Sequence, residues 1–102
     1  MELDDIIKIL ENHAPKELAP TSPSAAVMVL LLTNPNAPLE IVLTERSHTL
    51  PTYAGDVSFP GGIQDATDLD LYQTAQRELH EELRVPPHLY QRIGQLDDFQ
   101  DR

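Results

Sequence analysis

Leu3, Ile6, Ile7 and Leu10 fall at i, i+3, i+4 and i+7, the spacing of an amphipathic helix. That helix should end near Asn12–Ala14, ahead of Pro15. From Pro15 to Ser24 the prolines Pro15, Pro20 and Pro23 mark an extended connector. Residues 1–24 therefore read as a helical packing arm with a Pro-rich connector. Ala25–Thr33 is a short apolar run beside prolines, which predicts a buried strand. Asn34-Pro35-Asn36-Ala37-Pro38 reads as a turn, because Asn tolerates unusual backbone angles and Pro presets them. Leu39–Thr44 is then a second strand, closing a hairpin. Glu45–Ala54 is polar and irregular, and Gly55–Phe59 is a third short strand that Pro60-Gly61-Gly62 stops. Ile63–Asp70 reads as a loop and Leu71–Leu83 as the best helix of the chain. Asp70 is its expected N-cap, with Gln73 in a near match to a capping box. Val85-Pro86-Pro87 should end it, since a residue before proline avoids the helical region. Ile93–Phe99 reads as the start of a further strand.

Length allows one domain at most: the chain has 102 residues. The formal charge is −10, from 7 basic and 17 acidic side chains, which argues against nucleic acid polymers and anionic membranes as partners. With no cysteine, a disulfide scaffold and a thiolate zinc site are excluded. The longest apolar run, Ala25–Leu32, is far too short to span a bilayer, and the acidic N-terminus is unlike a signal peptide. A soluble, cytoplasmic protein is expected. The charge also raises a difficulty, because an acidic protein repels anionic ligands unless a cation intervenes.

Leu71–Leu83 breaks a local rule. At about 100° per residue, Leu71, Tyr72, Ala75, Leu79 and Leu83 form the core stripe. With Glu78 at zero, Glu82 falls near about 40° and Glu81 near about −60°, so the three glutamates overlap the edge of that stripe. Gln73, Arg77, His80 and Arg84 should lie on the solvent side. Like charges one turn apart cost roughly 0.2–0.5 kcal/mol per pair, and the helix C-terminus disfavours anions further. Arg77 can offset part of this by pairing with Glu81. A hard divalent cation would convert the repulsion into ligation. A solvated glutamate-rich face is the competing reading of this helix alone.

Gly61-Gly62, set between a strand and the acidic helix, allow positive φ and close backbone approach to a ligand. Together these features resemble the Nudix hydrolases. Arg77-Glu78-Leu79-His80-Glu81-Glu82-Leu83-Arg84-Val85 matches the second half of the family signature, except that Arg84 stands where the family has Gly. Counting from Gly62, Asp68 occupies the first acidic position of that signature, one residue further from Arg77 than usual. Thr44-Glu45-Arg46-Ser47, Gly55 and Phe59-Pro60-Gly61-Gly62 are similar to the upstream motif of the coenzyme A pyrophosphatase-like branch, with Pro51 in place of its second arginine.

The resemblance implies an α+β fold, the Nudix α/β/α sandwich around a mixed sheet. Residues 25–102 would form its N-terminal portion, so the domain is expected to be C-terminally incomplete. A sheet face left bare in that way could be covered by a partner copy, giving a homodimer. The implied activity is metal-dependent hydrolysis of the pyrophosphate bond in a nucleoside diphosphate derivative, coenzyme A or a related compound. The implied cofactor is Mg²⁺ or Mn²⁺, held by Glu78, Glu81, Glu82 and the Gly62 carbonyl. Glu78, Glu81, Glu82 and Arg77 are the candidate catalytic group, with Arg77 orienting the carboxylates. Arg46, Gly61 and Gly62 are the candidate substrate-binding residues. One glutamate, or a carboxylate beyond residue 102, would take the proton from the attacking water. Arg46 reads equally as a structural ion pair with Glu40 or Asp56. Asp65, Asp68 and Asp70 read as capping and turn residues, and the four histidines as surface residues. The competing function is a catalytically weak or inactive Nudix-like domain that binds a nucleotide or a protein partner, favoured by Arg84 and Pro51.

Overall fold

A computed structural model describes residues 1–19 and 23–99. Helix α1 spans Leu3–Glu11, close to the predicted bounds. Its entry is closed by the Glu2 N–H, which donates to Asp5 Oδ2 at 3.0 Å. Of the connector, Pro20, Thr21 and Ser22 lie outside the described residues, and its described part is irregular. The connector is latched to residues 97 and 98. Asp97 Oδ1 lies 2.8 Å from His13 Nε2 and accepts the Lys16 N–H, also at 2.8 Å. The Asp98 N–H donates to the Lys16 carbonyl at 2.8 Å, and Asp98 Oδ2 accepts the Leu18 N–H at 3.0 Å. The strand expected over Ile93–Phe99 is thus an irregular segment, tied to the connector largely through side-chain carboxylates.

Three two-stranded antiparallel ladders follow. The apolar run splits into β1 (Ala25–Val27) and β2 (Leu31–Leu32) because its halves take different partners. β2 pairs with β3 (Glu40–Ile41), Leu31 opposite Ile41, which is the predicted hairpin. Its turn is built as expected: the Ala37 N–H reaches the Asn34 carbonyl at 3.1 Å, and the Asn36 N–H reaches Asn34 Oδ1 at 3.0 Å. β4 (Thr44–Glu45) pairs with β5 (Val57–Ser58). β1 pairs with β6 (Gly61–Ile63), Ala26 opposite Gly62. β5 ends before Pro60 as expected, but Gly61 and Gly62 then form a strand of their own. The run is also not deeply buried, since Val27 and Leu32 are about half exposed.

Helix α2 spans Leu71–Leu83, as predicted, and packs on β1 and β6. Asp70 caps it, its side chain accepting the Gln73 N–H at 2.8 Å. The capping box is displaced by one residue, because Gln73 Oε1 accepts from the Leu69 N–H rather than from Asp70. Ala75 and Leu79 are buried as expected, joined by Pro60 and Thr74. Thr74 can be buried because its hydroxyl donates to Asp68 Oδ2 at 2.9 Å. Leu71 and Leu83, at the ends of the predicted stripe, are instead exposed. The helix stops one residue before Val85, at Arg84, whose left-handed φ of 58° lets its N–H reach the His80 carbonyl at 2.9 Å. This explains why glycine suits the position and why arginine leaves the helix end intact, at a cost of about 1–2 kcal/mol. A short 3₁₀ turn, Pro87–Leu89, follows.

The fold is α+β, but all three ladders are antiparallel, so the mixed sheet of the expected sandwich is not formed among the described residues. No helix of the described residues is long and apolar enough to cross a membrane.

Two variants probe this packing. Leu79 is fully buried beneath α2, so Leu79→Ala should lower the free energy of unfolding by roughly 2–5 kcal/mol in urea titrations. Arg84→Gly should raise it by about 1 kcal/mol in the same assay, by removing the positive-φ strain.

Candidate active site

Arg77 lies at the middle of α2, where the periodicity placed it toward solvent. Instead its side chain is only 25% exposed and turns toward the loop before the helix. Its Nε donates to Asp68 Oδ1 at 3.0 Å, and its Nη2 to Asp68 Oδ2 at 2.9 Å. Nη2 also donates to the Ile63 carbonyl at the end of β6, at 3.0 Å. Nη1 donates to Glu78 Oε1 at 3.0 Å and to Glu81 Oε2 at 3.3 Å. One planar fork thus joins loop, strand and helix. Arg77 orients Glu78 and Glu81, and the expected pairing with Glu81 is present.

Asp68, at the first acidic position of the motif, is the main partner of this fork. It closes its own turn, accepting the Asp65 N–H at 2.9 Å. Its side chain is 3% exposed and accepts from Arg77, Asp65 and Thr74 together. The Arg77 hydrogen bonds, supported by the Asp65 N–H, hold its carboxyl well below the usual carboxylate range. The same pairing raises the Arg77 guanidinium above its ordinary value.

Glu82 is turned the other way, toward β6, where Oε1 accepts the Gly61 N–H at 3.3 Å. Burial pushes its carboxyl up; the Gly61 N–H opposes this and the charges of Glu78 and Glu81 add to it. The two glycines matter through contact, not through positive φ, which neither adopts. A Cβ on Gly61 would strike the Ala26 carbonyl of β1, and one on Gly62 would sit 2.6 Å from the Glu78 carboxyl carbon. Gly62 is therefore the gap that lets Glu78 lie against the strand.

Arg46 neither pairs with Glu40 nor with Asp56 among the described residues. Its Nε donates to the Thr52 carbonyl at 2.8 Å, and its backbone N–H donates to the Asp56 carbonyl at 2.7 Å. It thereby braces the loop between β4 and β5. Arg46, Gly61 and Glu82 line one cavity of about 390 Å³, with Tyr53, Asp56 and Phe59 on its walls. Tyr53 had no distinguishing signal in the sequence. Glu78 and Glu81 lie beside this cavity rather than in its lining, directed at Arg77.

The donor set tests for a metal. As they stand, no three His, Asp or Glu side chains among the described residues converge on one point. The chemistry nevertheless fits a hard divalent cation. Three carboxylates crowd one helix face, Arg77 Nη1 serves both Glu78 and Glu81, and Glu82 has no cation partner among the described residues.

The Asp68–Arg77 pair has a signed pH signature. A depressed carboxyl stabilises the fold fully above its unfolded value, and the contribution fades as pH falls through the folded one. Asp68→Asn should therefore melt below the parent chain, with a gap that is constant above about pH 5 and narrows as pH falls below about 4. Circular-dichroism melts across that range check it.

The chain is similar to known proteins over most of its length. The NUDIX domain model matches residues 22–102. A protein of Photorhabdus laumondii named "Uncharacterized Nudix hydrolase NudL" is 42% identical over 82 residues, covering 80% of this chain and 43% of its own length. The NudL protein of Klebsiella aerogenes is 38% identical over 98 residues, covering 94% of this chain and 80% of its own. Arabidopsis thaliana "Nudix hydrolase 22, chloroplastic" is 38% identical over 89 residues, 87% of this chain and 29% of its own. The chain thus spans less than half the length of the Photorhabdus and Arabidopsis relatives. With the domain match running through β1, β6, Asp68 and the whole of α2, the chain belongs to the Nudix family.

Proposed function

We propose that the protein hydrolyses the pyrophosphate bond of a nucleoside diphosphate derivative, coenzyme A or a related compound, with the help of Mg²⁺ or Mn²⁺. Nudix membership implies pyrophosphate hydrolysis in general terms. The observation that carries the reading further is the placement of Glu82 and Arg46 on one cavity while Arg77 holds Glu78 and Glu81 beside it. Nothing in the packing of α2 requires that concentration of charge.

Glu78, Glu81 and Glu82, with the Gly62 carbonyl, would hold the ion. Bound there, it would neutralise diphosphate charge and acidify a water. Arg46 would offer its remaining guanidinium nitrogens to a substrate phosphate, with its Nε already fixed on Thr52. Glu82 is the candidate to receive the proton from the attacking water: it lines the cavity, and burial raises its carboxyl, which strengthens it as a base. Arg77 is absent from the lining of this cavity and acts by position, keeping Glu78 against Gly62 and the loop against the helix. Coenzyme A is favoured by the match of Thr44–Ser47, Gly55 and Phe59–Gly62 to the branch motif. Exposed Pro51 leaves one cation of that motif missing. The partner is a small molecule, and the charge of −10 argues against nucleic acid polymers.

Turnover of the full chain with Mg²⁺ or Mn²⁺ on coenzyme A, ADP-ribose and reduced dinucleotides tests this. Glu82→Gln should cut turnover by roughly 10²–10⁴-fold, and Glu78→Gln should also cut it. Arg77→Lys should lose roughly 10–100-fold. Undiminished turnover in both glutamine variants would sink the metal-site assignment. Inactivity of the parent chain on every diphosphate would favour a nucleotide-binding role.

A further inference from the structure

The loop that carries Tyr53 is held from both sides. Arg46 Nε grips the Thr52 carbonyl at 2.8 Å, the Gly55 N–H donates to the Arg46 carbonyl at 3.0 Å, and the Asp56 N–H donates to the Tyr53 carbonyl at 3.1 Å. Within this brace Tyr53 adopts a left-handed φ of 54°. A bulky aromatic residue rarely takes that conformation, where Gly or Asn would relieve it. Its ring is nevertheless not used by the fold, since Tyr53 is 74% exposed. It stands on the wall of the cavity that Arg46, Gly61 and Glu82 also line. The backbone is thus fixed, under strain, so that an exposed aromatic side chain shares a cavity wall with Arg46. Strain of this kind, held by its surroundings, points to a ligand rather than to packing.

We propose that Tyr53 is a specificity residue that stacks on the aromatic base of the nucleotide while Arg46 holds its phosphate. The proposal rests on the reading of this cavity as the diphosphate site. A base offers a π-face matched to the ring, whereas sugar and phosphate offer none. Glu45 and Asp56 on the same wall disfavour a second anionic group beside the ring, which leaves a neutral aromatic group as the fitting occupant.

Calorimetric binding of AMP and of ribose 5-phosphate to the full chain, in Mg²⁺ buffer, tests it. The parent chain should bind AMP about ten-fold more tightly than ribose 5-phosphate. Tyr53→Phe should keep that preference. Tyr53→Asn, which tolerates positive φ and should melt no lower than the parent, should abolish it while leaving ribose 5-phosphate binding unchanged. Arg46→Ala should weaken both ligands. A preference retained in Tyr53→Asn, an equal loss of both ligands in that variant, or no preference in the parent would each overturn the role of Tyr53. Hydrolysis that depends on Glu82 alongside any of these results would leave the enzymatic reading standing. Base preference without hydrolysis would support Tyr53 and overturn the enzymatic reading instead.

Discussion

Everything around the candidate site depends on one guanidinium. Arg77 presents its donors in a rigid plane, and each edge of that plane meets a different element. Removing it would leave Asp68 as a nearly enclosed carboxylate without its cation, which is costly wherever water is excluded. It would also release the Ile63 carbonyl that fixes the end of β6 against α2. Because the same fork touches Glu78 and Glu81, strand position and carboxylate position are one variable. The motif spacing between Asp68 and Arg77 is a structural requirement before it is a catalytic one.

The second constraint is proximity. β6 lies so close to β1 and α2 that a side chain at 61 would strike the β1 backbone, and one at 62 would strike Glu78. This closeness brings the Gly61 N–H to Glu82 and lets α2 cover β1 and β6 with a very small core, centred on Ala75 and Leu79. Substituting Gly61 would therefore push β6 off β1, and substituting Gly62 would displace the Glu78 carboxylate from the strand.

Elements set by neighbours in sequence were legible from it. The bounds of α2, the Asp70 cap and the Asn34 turn depend on local hydrogen bonds, so residue type and spacing suffice. The hairpin of β2 and β3 was legible for the same reason. The strand at Gly61–Ile63 was not, because two glycines weaken any strand signal and its partner β1 lies more than thirty residues earlier. That distant pairing also splits the single apolar run into β1 and β2. Arg77 was misplaced by the helical wheel, because a long side chain can fold back toward a carboxylate in a preceding loop. The glutamates and Arg46 were found through the motif, but only the folded chain shows Glu82 and Arg46 facing one cavity and Arg46 bracing a loop. Tyr53 carried no signal, since its importance lies in a backbone angle.

The charge of the chain takes a specific local form here. Around Arg77 stand Asp68, Glu78 and Glu81, and Glu82 lies close enough to feel the last two. Asp68 claims Nε and shares Nη2 with the Ile63 carbonyl, so a single nitrogen serves both Glu78 and Glu81. Glu82 is left with a backbone N–H and partial burial, and its carboxyl responds by holding its proton more tightly. One buried pair is thus fully satisfied, and a neighbouring carboxylate group is deliberately short of positive charge. The first fixes geometry independently of any ligand. The second is the group proposed to hold a divalent cation, and a cation bound there would also offset the repulsion between an anionic diphosphate and a protein of net charge −10.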